Sequence, residues 1–161
     1  MNTDWYIGSS SSSSSDDGVV RLGGALQGEL KDDDLPDHLD WVELGYLNPP
    51  RNQGSCGSCY AFATMGSIES RWGISKGKDQ LKYLSPQMII DCDNSNYGCS
   101  GGFMPLVYRF LITRRGGMAC TDESYPYRAH RQRCHRTCDA GAKIVSYRQI
   151  LDENERTIMR A

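Results

Sequence analysis

The residues best suited to chemistry lie in a glycine-rich segment, residues 53–62, with the sequence QGSCGSCYAF. Its second cysteine, Cys59, starts a run of apolar residues at helical spacing. Unpaired backbone N–H groups and the positive end of a helix dipole favour the thiolate, which is the nucleophilic form of cysteine. The amide of Gln53 could join the backbone N–H of Cys59 in facing a developing oxyanion. The segment therefore predicts acyl transfer with Cys59 as nucleophile and Gln53 as oxyanion donor.

A helix from Cys59 to Trp72 is predicted to position the nucleophile. Its apolar stripe, spaced by three, three and four residues, consists of Phe62, Met65, Ile68 and Trp72. Gly57 and Ser58 suit the turn that enters the helix, and Gly73 is placed to end it.

Two further helices follow. The first has Ser85 as N-cap and Pro86 at the first helical position, where a missing N–H costs nothing. The next covers about residues 104–115 and stops at Gly116 and Gly117. The apolar residues expected to face the core are Met88, Ile89, Ile90, Leu106, Val107, Phe110 and Leu111.

Residues 143–150, KIVSYRQI, are predicted to form a strand. Asp152 and Glu155 then resemble a capping box, so a helix is expected there that carries Ile158 and Met159 inward. Because the sequence stops inside this helix, we expect a domain truncated at its C-terminus.

Composition limits the class of protein. The chain has 161 residues, of which 39% are hydrophobic and 24% charged, so one globular domain with a tail is allowed and a wholly disordered chain is not. Residues 1–34 carry a net charge of −5 and include seven consecutive serines, whereas residues 35–161 carry +3. We expect a disordered acidic tail over 1–34 and a folded unit from Leu35. No apolar stretch predicts a membrane span, and no basic excess predicts nucleic-acid binding.

The cysteine count predicts disulfides. Seven cysteines are present, and an odd number suggests structural pairs plus one free thiol. Three bridges would imply an oxidising compartment. The first eight residues show neither the basic nor the apolar part of a signal peptide.

Several motifs together identify a family. Residues 56–60, CGSCY, match the C-G-[SA]-C-[WY] signature of the papain and cathepsin nucleophile. Further blocks occur in the order of that family: Leu35-Pro36 with Asp40-Trp41, NQG at 52–54, LSPQ at 84–87 with Asp91-Cys92, GCSGG at 98–102, and YPY at 125–127 with Cys134. On these motifs the chain resembles the papain-like cysteine peptidases over about residues 35–161.

The resemblance implies a fold and a site. The fold would be α+β, containing mostly the helical left-hand domain and the first strand of the right-hand β domain. The activity would be peptide-bond hydrolysis through a thioester on Cys59, with Gln53 as oxyanion donor. The residues implied to bind an extended substrate are Gly101, Gly102, Phe103 and Met104. The implied disulfides are Cys56–Cys99 and Cys92–Cys134, with Cys120–Cys138 as the remaining pair.

The resemblance also shows what this chain lacks. The histidine of the family lies roughly 130–150 residues after the cysteine, with an asparagine beyond it, and the chain ends before that position. We therefore expect little or no peptidase activity from the chain alone. The subgroup stays open: Tyr60, the Cys120/Cys138 pair and residues 101–103 look like dipeptidyl peptidase I (cathepsin C), whereas ESYPY at 123–127 looks more like cathepsin L.

The same cysteines, histidines and arginines allow other interpretations. Cys56 and Cys59 could form a redox C-x-x-C pair, and Cys56/Cys59 with Cys134/Cys138 and His135 could hold zinc. The histidines His38, His130 and His135 are expected to be solvated surface residues. The arginines Arg128, Arg131, Arg133 and Arg136 form either a polyanion-binding patch or a solvated loop. The remaining functional alternative is a non-catalytic papain-like binding module.

The sequence predicts no cofactor and no metal. The expected partners are peptide or protein substrates, with a pro-segment or protein inhibitor as a further occupant of the cleft. The resemblance and the disulfides imply a lysosomal or extracellular location.

Overall fold

The structure, a computed structural model of the chain, describes residues 36–151 and 154–159. The predicted tail over 1–34 and Leu35 lie outside this part. The described elements are α1 (Cys59–Lys76), a 3-10 turn (Lys78–Gln80), α2 (Pro86–Cys92), α3 (Met104–Arg114), β1 (Met118–Cys120), β2 (Ala140–Lys143) and α4 (Glu155–Met159). Helices with a small antiparallel sheet confirm the predicted α+β class. Within the described ranges no helix is long and apolar enough to cross a membrane.

Helix α1 begins at Cys59 as predicted, but Gly73 does not end it. The helix continues for another turn and ends before Gly77, whose φ is +104° and whose N–H bonds the carbonyl of Gly73 at 2.9 Å. Gly73 is buried, and a Cβ there would lie 3.0 Å from Leu81 Cδ1. The glycine therefore lets Leu81 pack closely against the middle of the helix. The prediction that the helix stops at Gly73 is wrong.

The core lies where α1, α2 and α3 pack together. Helix α1 contributes Ala61, Met65 and Ile68, helix α2 contributes Met88 and Ile89, and helix α3 contributes Val107, Tyr108 and Leu111. Phe62 and Trp72 are only partly buried, so the inward face of α1 is rotated away from the predicted stripe.

Helices α2 and α3 confirm their predicted ends. Ser85 caps α2 by accepting a hydrogen bond from the N–H of Met88 at 3.1 Å. After α3, Gly116 and Gly117 adopt φ values of +59° and +82°, and the N–H of Gly117 bonds the carbonyl of Leu111 at 2.8 Å.

The strand predicted over 143–150 is wrong in position. Strand β2 covers Ala140–Lys143 and pairs antiparallel with β1, with Ala119 opposite Ala142. A Cβ on Gly141 would lie only 2.4 Å from Leu84 Cδ2, so this strand packs too close to the core for larger side chains. Its small residues have little intrinsic β-propensity, which explains why the sequence pattern pointed to the more β-branched residues downstream.

The last described helix is α4 (Glu155–Met159), whereas Asp152, its predicted cap, lies outside the described residues. Ile158 was expected to face inward, yet 55% of its surface is exposed. It lines an open hollow of about 610 Å³ whose other walls include Trp41, Leu47, Tyr108 and Tyr147. The inward orientation predicted for Ile158 is therefore wrong.

Candidate active site

Six cysteines are joined in pairs, and one is free. The disulfides are Cys56–Cys99, Cys92–Cys134 and Cys120–Cys138, which are the pairs implied by the resemblance. Cys59 is the free cysteine and is exposed. A Cys56–Cys59 redox pair and a zinc site built on these cysteines do not form, since the other sulfur atoms are bonded to each other.

Cys59 lies at an uncapped helix start. The hydroxyl of Ser58, at the N-cap position, makes no capping hydrogen bond, and the carbonyl of Ser58 accepts from the N–H groups of Ala61 and Phe62. Within the described part of the chain, the N–H groups of Cys59 and Tyr60 make no hydrogen bond. These two donors therefore remain available to an anion formed at the Cys59 sulfur.

Gln53 is held by both its side chain and its backbone. Its Nε2 donates to the carbonyl of Cys56 at 2.9 Å, and its own carbonyl accepts from the Tyr127 hydroxyl at 2.7 Å. A side-chain amide carries two N–H protons, so the bond to Cys56 leaves one of them for a further acceptor.

The start of the Gln53 loop is fixed by Arg51. Its guanidinium lies 3.3 Å from a Glu69 oxygen and 3.0 Å from an Asp122 oxygen. The same group lies 5.1 Å from the ring centre of Phe62 and 4.8 Å from that of Tyr83. Burial raises the pKa values of Glu69 and Asp122, and the charge of Arg51 opposes both shifts. Two partly desolvated carboxylates thus hold one arginine between two aromatic rings.

Glu69 is a positioning residue that the sequence analysis missed. It projects from α1, is only 4% exposed, and accepts from the side chain of Asn48 at 2.9 Å and from the N–H of Leu84 at 2.7 Å. It therefore ties the loop before Gln53 to the helix that carries Cys59. The available signal was an acidic residue next to Ile68 on the apolar face of a predicted helix.

A second loop, residues 98–102, lies beside the Cys59 segment. The Cys56–Cys99 disulfide joins the two, and the N–H of Gly57 bonds the carbonyl of Cys99 at 2.8 Å. The Tyr60 hydroxyl donates to the carbonyl of Gly98 at 3.0 Å. Burial, assisted by the negative charge of Asp93, raises the pKa of Tyr60 to about 12, so its hydroxyl remains a donor at neutral pH.

Position 102 has no room for a side chain, so only glycine fits there. A Cβ there would lie 2.5 Å from Asn96 Oδ1 and 2.8 Å from Tyr60 Cε2. Within the described ranges, its N–H and carbonyl make no hydrogen bond. The preceding Gly101 has a φ of +110°, and its carbonyl accepts from the N–H of Tyr97 at 3.1 Å.

Two exposed apolar side chains follow Gly102. Phe103 is 64% exposed and Met104 is 47% exposed. The N–H of Phe103 donates to Asn96 Oδ1 at 2.7 Å, and Asn96 in turn donates to Asp93 Oδ2 at 2.7 Å. The backbone of the predicted substrate-binding residues is therefore fixed from beneath by a buried asparagine.

The three histidines lie on the surface, as predicted, and their observed partners do not include Cys59. His38 lies 3.5 Å from Glu43, His130 contacts the carbonyl of Arg128, and His135 stacks on Tyr125. His38, Asp40 and Glu43 bring possible metal-ligating atoms within 4.8 Å of one another. Asp40 is half-buried and already caps this turn by accepting from two backbone N–H groups, whereas His38 and Glu43 are exposed. The four arginines Arg128, Arg131, Arg133 and Arg136 are all exposed.

Comparisons with known sequences agree with this arrangement. The family model described as "Papain family cysteine protease" matches residues 35–161. Zingipain-2 of Zingiber officinale is 40% identical over 130 residues, which cover 80% of this chain and 57% of that protein. Cathepsin K of Mus musculus is 38% identical over 128 residues, covering 79% of this chain and 38% of that protein. The chain thus spans well under two thirds of the length of these relatives.

Solved structures match as well. The recombinant stem bromelain precursor has a TM-score of 0.71 at 32% identity, covering 80% of this chain and 41% of that one. A Carica candamarcensis cysteine protease in complex with E-64 has a TM-score of 0.58 at 31% identity, covering 67% of this chain and 50% of that one. The subgroup, cathepsin C-like or cathepsin L-like, stays open. The chain belongs to the papain family of cysteine proteases.

Proposed function

We propose that this chain forms the nucleophile half of a cysteine-type peptidase that cleaves peptide bonds through a thioester on Cys59. The observation that carries the proposal is the state of the seven cysteines. Six are disulfide-bonded, and the seventh is exposed at the first residue of α1, beside N–H groups that make no other hydrogen bond in the described chain.

Acylation would use the groups around this sulfur. The thiolate attacks the substrate carbonyl carbon, a C–S bond forms, and the carbonyl π electrons move to the oxygen. The backbone N–H of Cys59 and the second amide proton of Gln53 stabilise that oxyanion. When the C–N bond breaks, the amine leaves with a proton supplied by a general acid, and water later hydrolyses the thioester.

Substrate would bind in extended form along residues 101–104. The N–H and carbonyl of Gly102 make no hydrogen bond with the described residues and are suited to bonds with a peptide backbone, as in the addition of a strand. The exposed side chains of Phe103 and Met104 would border a pocket for an apolar substrate side chain. Gly101, with its positive φ, allows the turn that presents this backbone.

The acid–base group is expected to come from outside this chain. The observed contacts of His38, His130 and His135 are with Glu43, Arg128 and Tyr125, and do not include Cys59. We therefore expect the 161-residue chain to be acylated by activated esters but to hydrolyse peptide amides slowly or not at all. An amide needs a protonated leaving nitrogen, whereas a nitrophenolate leaves unaided.

The disulfides and the relatives support a proposed location and proposed partners. Three bridges are typical of an oxidising compartment, which supports a lysosomal or extracellular location. Matched structures include a procathepsin and a complex with the inhibitor E-64. We propose peptide and protein substrates for this chain, with a pro-segment or inhibitor as an alternative occupant.

The test is acylation of the 161-residue chain by a p-nitrophenyl ester of an N-acylated amino acid. We expect a burst of one nitrophenolate per chain, with the acyl group mapped to Cys59 by mass spectrometry. Cys59→Ser should abolish the burst without unfolding the chain, as checked by circular dichroism. A folded wild-type chain that gives no burst, or an acyl group mapped to another residue, would contradict the proposal.

A further inference from the structure

We propose that Tyr127 is a positioning residue that holds Gln53 in place as the oxyanion donor. The inference rests on the proposed function of Cys59 and Gln53. Tyr127 follows the nucleophile by 68 positions in the sequence, yet its hydroxyl forms hydrogen bonds with both Gln53 and Ser58.

The directions of these hydrogen bonds can be assigned. The Tyr127 hydroxyl donates its single proton to the carbonyl of Gln53 at 2.7 Å. The 2.8 Å bond between Tyr127 and Ser58 must then be donated by the Ser58 hydroxyl. One phenol oxygen therefore joins Gln53 to the residue directly before Cys59.

The residues next to Gln53 make few hydrogen bonds to other parts of the described chain. Asn52, Gly54 and Ser55 are exposed, and Gly54 has a φ of +63°. The N–H of Gly54 bonds the side chain of Asn52 within the same loop. The bond from Tyr127 is thus the tie that reaches the Gln53 backbone from a distant part of the chain.

Tyr127 itself is firmly placed. Its ring packs edge-on against Phe62, with centroids 4.8 Å apart. The residues before and after Pro126-Tyr127 are bonded to buried side chains. The carbonyl of Tyr125 accepts from the Ser85 hydroxyl at 2.6 Å, and the N–H of Arg128 donates to Gln87 Oε1 at 2.8 Å. A hydroxyl carried on such a support can define the position of an exposed loop.

Loss of this hydroxyl should affect the oxyanion site more than the sulfur. The carbonyl of Gln53 would turn to water, and the side-chain amide would then be positioned only by its own bond to the carbonyl of Cys56. The Ser58 hydroxyl could still bond the carbonyl of Cys56, from which it lies 3.3 Å. Cys59 would keep its place at the start of α1, because that place is fixed by the helix and by the Cys56–Cys99 disulfide.

The experiment compares a reaction that forms an oxyanion with one that does not. With N-acetyl-phenylalanyl-glycinal, the Cys59 sulfur forms a C–S bond to the aldehyde carbon. The carbonyl π pair moves to the oxygen, which takes up the proton lost by the thiol. Alkylation by iodoacetamide displaces iodide and forms no oxyanion. The dissociation constant of the aldehyde is measured on the 161-residue chain from its protection of Cys59 against iodoacetamide.

We expect Tyr127→Phe to weaken aldehyde binding about tenfold, which is less than the roughly hundredfold or larger loss expected when an oxyanion donor is removed outright. The iodoacetamide rate and the affinity for the matching alcohol, N-acetyl-phenylalanyl-glycinol, should change less than about twofold, because neither depends on the oxyanion site. Ser58→Ala should have a smaller effect, since the bond from Tyr127 to Gln53 remains.

Tyr83→Phe is the matched control. Its hydroxyl donates to the carbonyl of Pro49 at 3.3 Å, which lies in the segment leading to Gln53, and it does not bond Gln53 itself. A comparable loss of aldehyde affinity in both tyrosine variants, or none in Tyr127→Phe, would overturn the inference and leave the nucleophile intact. If the wild-type chain binds neither aldehyde nor iodoacetamide at Cys59, the proposed function fails together with the inference.

Discussion

Apolar side chains are packed differently in two regions of this chain. In the disulfide-linked region, residues 56–138, Met65, Met88 and Leu111 are fully buried. In the C-terminal segment, residues 145–151 and 154–159, Val145 is 40% exposed and Leu151 is 50% exposed. The first region keeps its shape through a core and three covalent bridges, whereas the described residues of the second contain no bridge and reach that core mainly through Tyr147, whose ring stacks on Tyr108.

The difference explains how an exposed loop can serve as a site. Gln53 and Cys59 lie at the edge of the disulfide-linked region, yet their neighbours are tied to buried groups. Glu69 holds Arg51, and Tyr127 holds the Gln53 backbone. The C-terminal segment instead lines an open hollow of about 610 Å³ with partly exposed apolar side chains such as Ile150 and Ile158.

Removal of the Cys56–Cys99 disulfide should give the largest effect. It closes 43 residues, so Cys56→Ser with Cys99→Ser should reduce the free energy of unfolding by about 4 kcal/mol. Because this bridge also joins the two loops of the site, aldehyde binding at Cys59 should weaken. Urea unfolding and the protection assay measure the two effects.

The Cys120–Cys138 pair is the control for this change. It closes 18 residues near β1 and β2, so its loss should cost about 3 kcal/mol and leave aldehyde binding unaltered. Equal weakening of the ligand in both double variants would mean that the Cys56–Cys99 bridge acts only through global stability.

Truncation of single side chains should sharpen the contrast between the two regions. Met88 is fully buried, so Met88→Ala should reduce the unfolding free energy by about 3 kcal/mol. Ile150 is 36% exposed, and Ile150→Ala should cost less than about 1 kcal/mol. Urea titrations of both variants provide the measurement. Similar losses of unfolding free energy would contradict the difference between the disulfide-linked region and the C-terminal segment.

A smaller effect is expected from pH. Burial raises the pKa of Glu69 above its usual value of 4.5, so the folded state binds a proton more readily than the unfolded state. Its contribution to stability is therefore fully present below that pH and is lost as the pH rises through the folded-state pKa. Asp122 shifts in the same direction, from its usual 3.8.

Glu69→Gln isolates this contribution. The decrease in unfolding free energy as pH rises above about 4.5 should be shallower in the variant than in the wild type, with the remainder due to Asp122. Thermal unfolding from pH 4 to pH 8 gives the comparison. A wild-type profile parallel to that of the variant would show that the buried carboxyl does not titrate as described.

Local signals in the sequence predicted much of the disulfide-linked region. The start of α1 at Cys59, the Ser85–Pro86 cap and the Gly116–Gly117 stop each depend on residues close in sequence, and the structure confirms them. Gly73 failed as a stop because its role is set by Leu81, which packs against it from outside the helix.

The remaining errors have the same cause. Strand β2 depends on space, since Gly141 fits only against Leu84 and the β-propensity of its neighbours is low. Glu69 and Tyr127 bond partners far away in the sequence; periodicity could mark Glu69 as an acid on an apolar helix face, but it could not identify the partners of either residue. The resemblance supplied the candidate residues, and the contacts among them required coordinates.

The most direct test maps the thiols of the unreduced, folded chain. After treatment with iodoacetamide and digestion without reductant, we predict one carbamidomethyl group, on Cys59, and three disulfide-linked peptide pairs. The pairs should be Cys56–Cys99, Cys92–Cys134 and Cys120–Cys138. A Cys59 found in a bridge, or an unmodified Cys59 beside an alkylated partner from one of these pairs, would contradict the account.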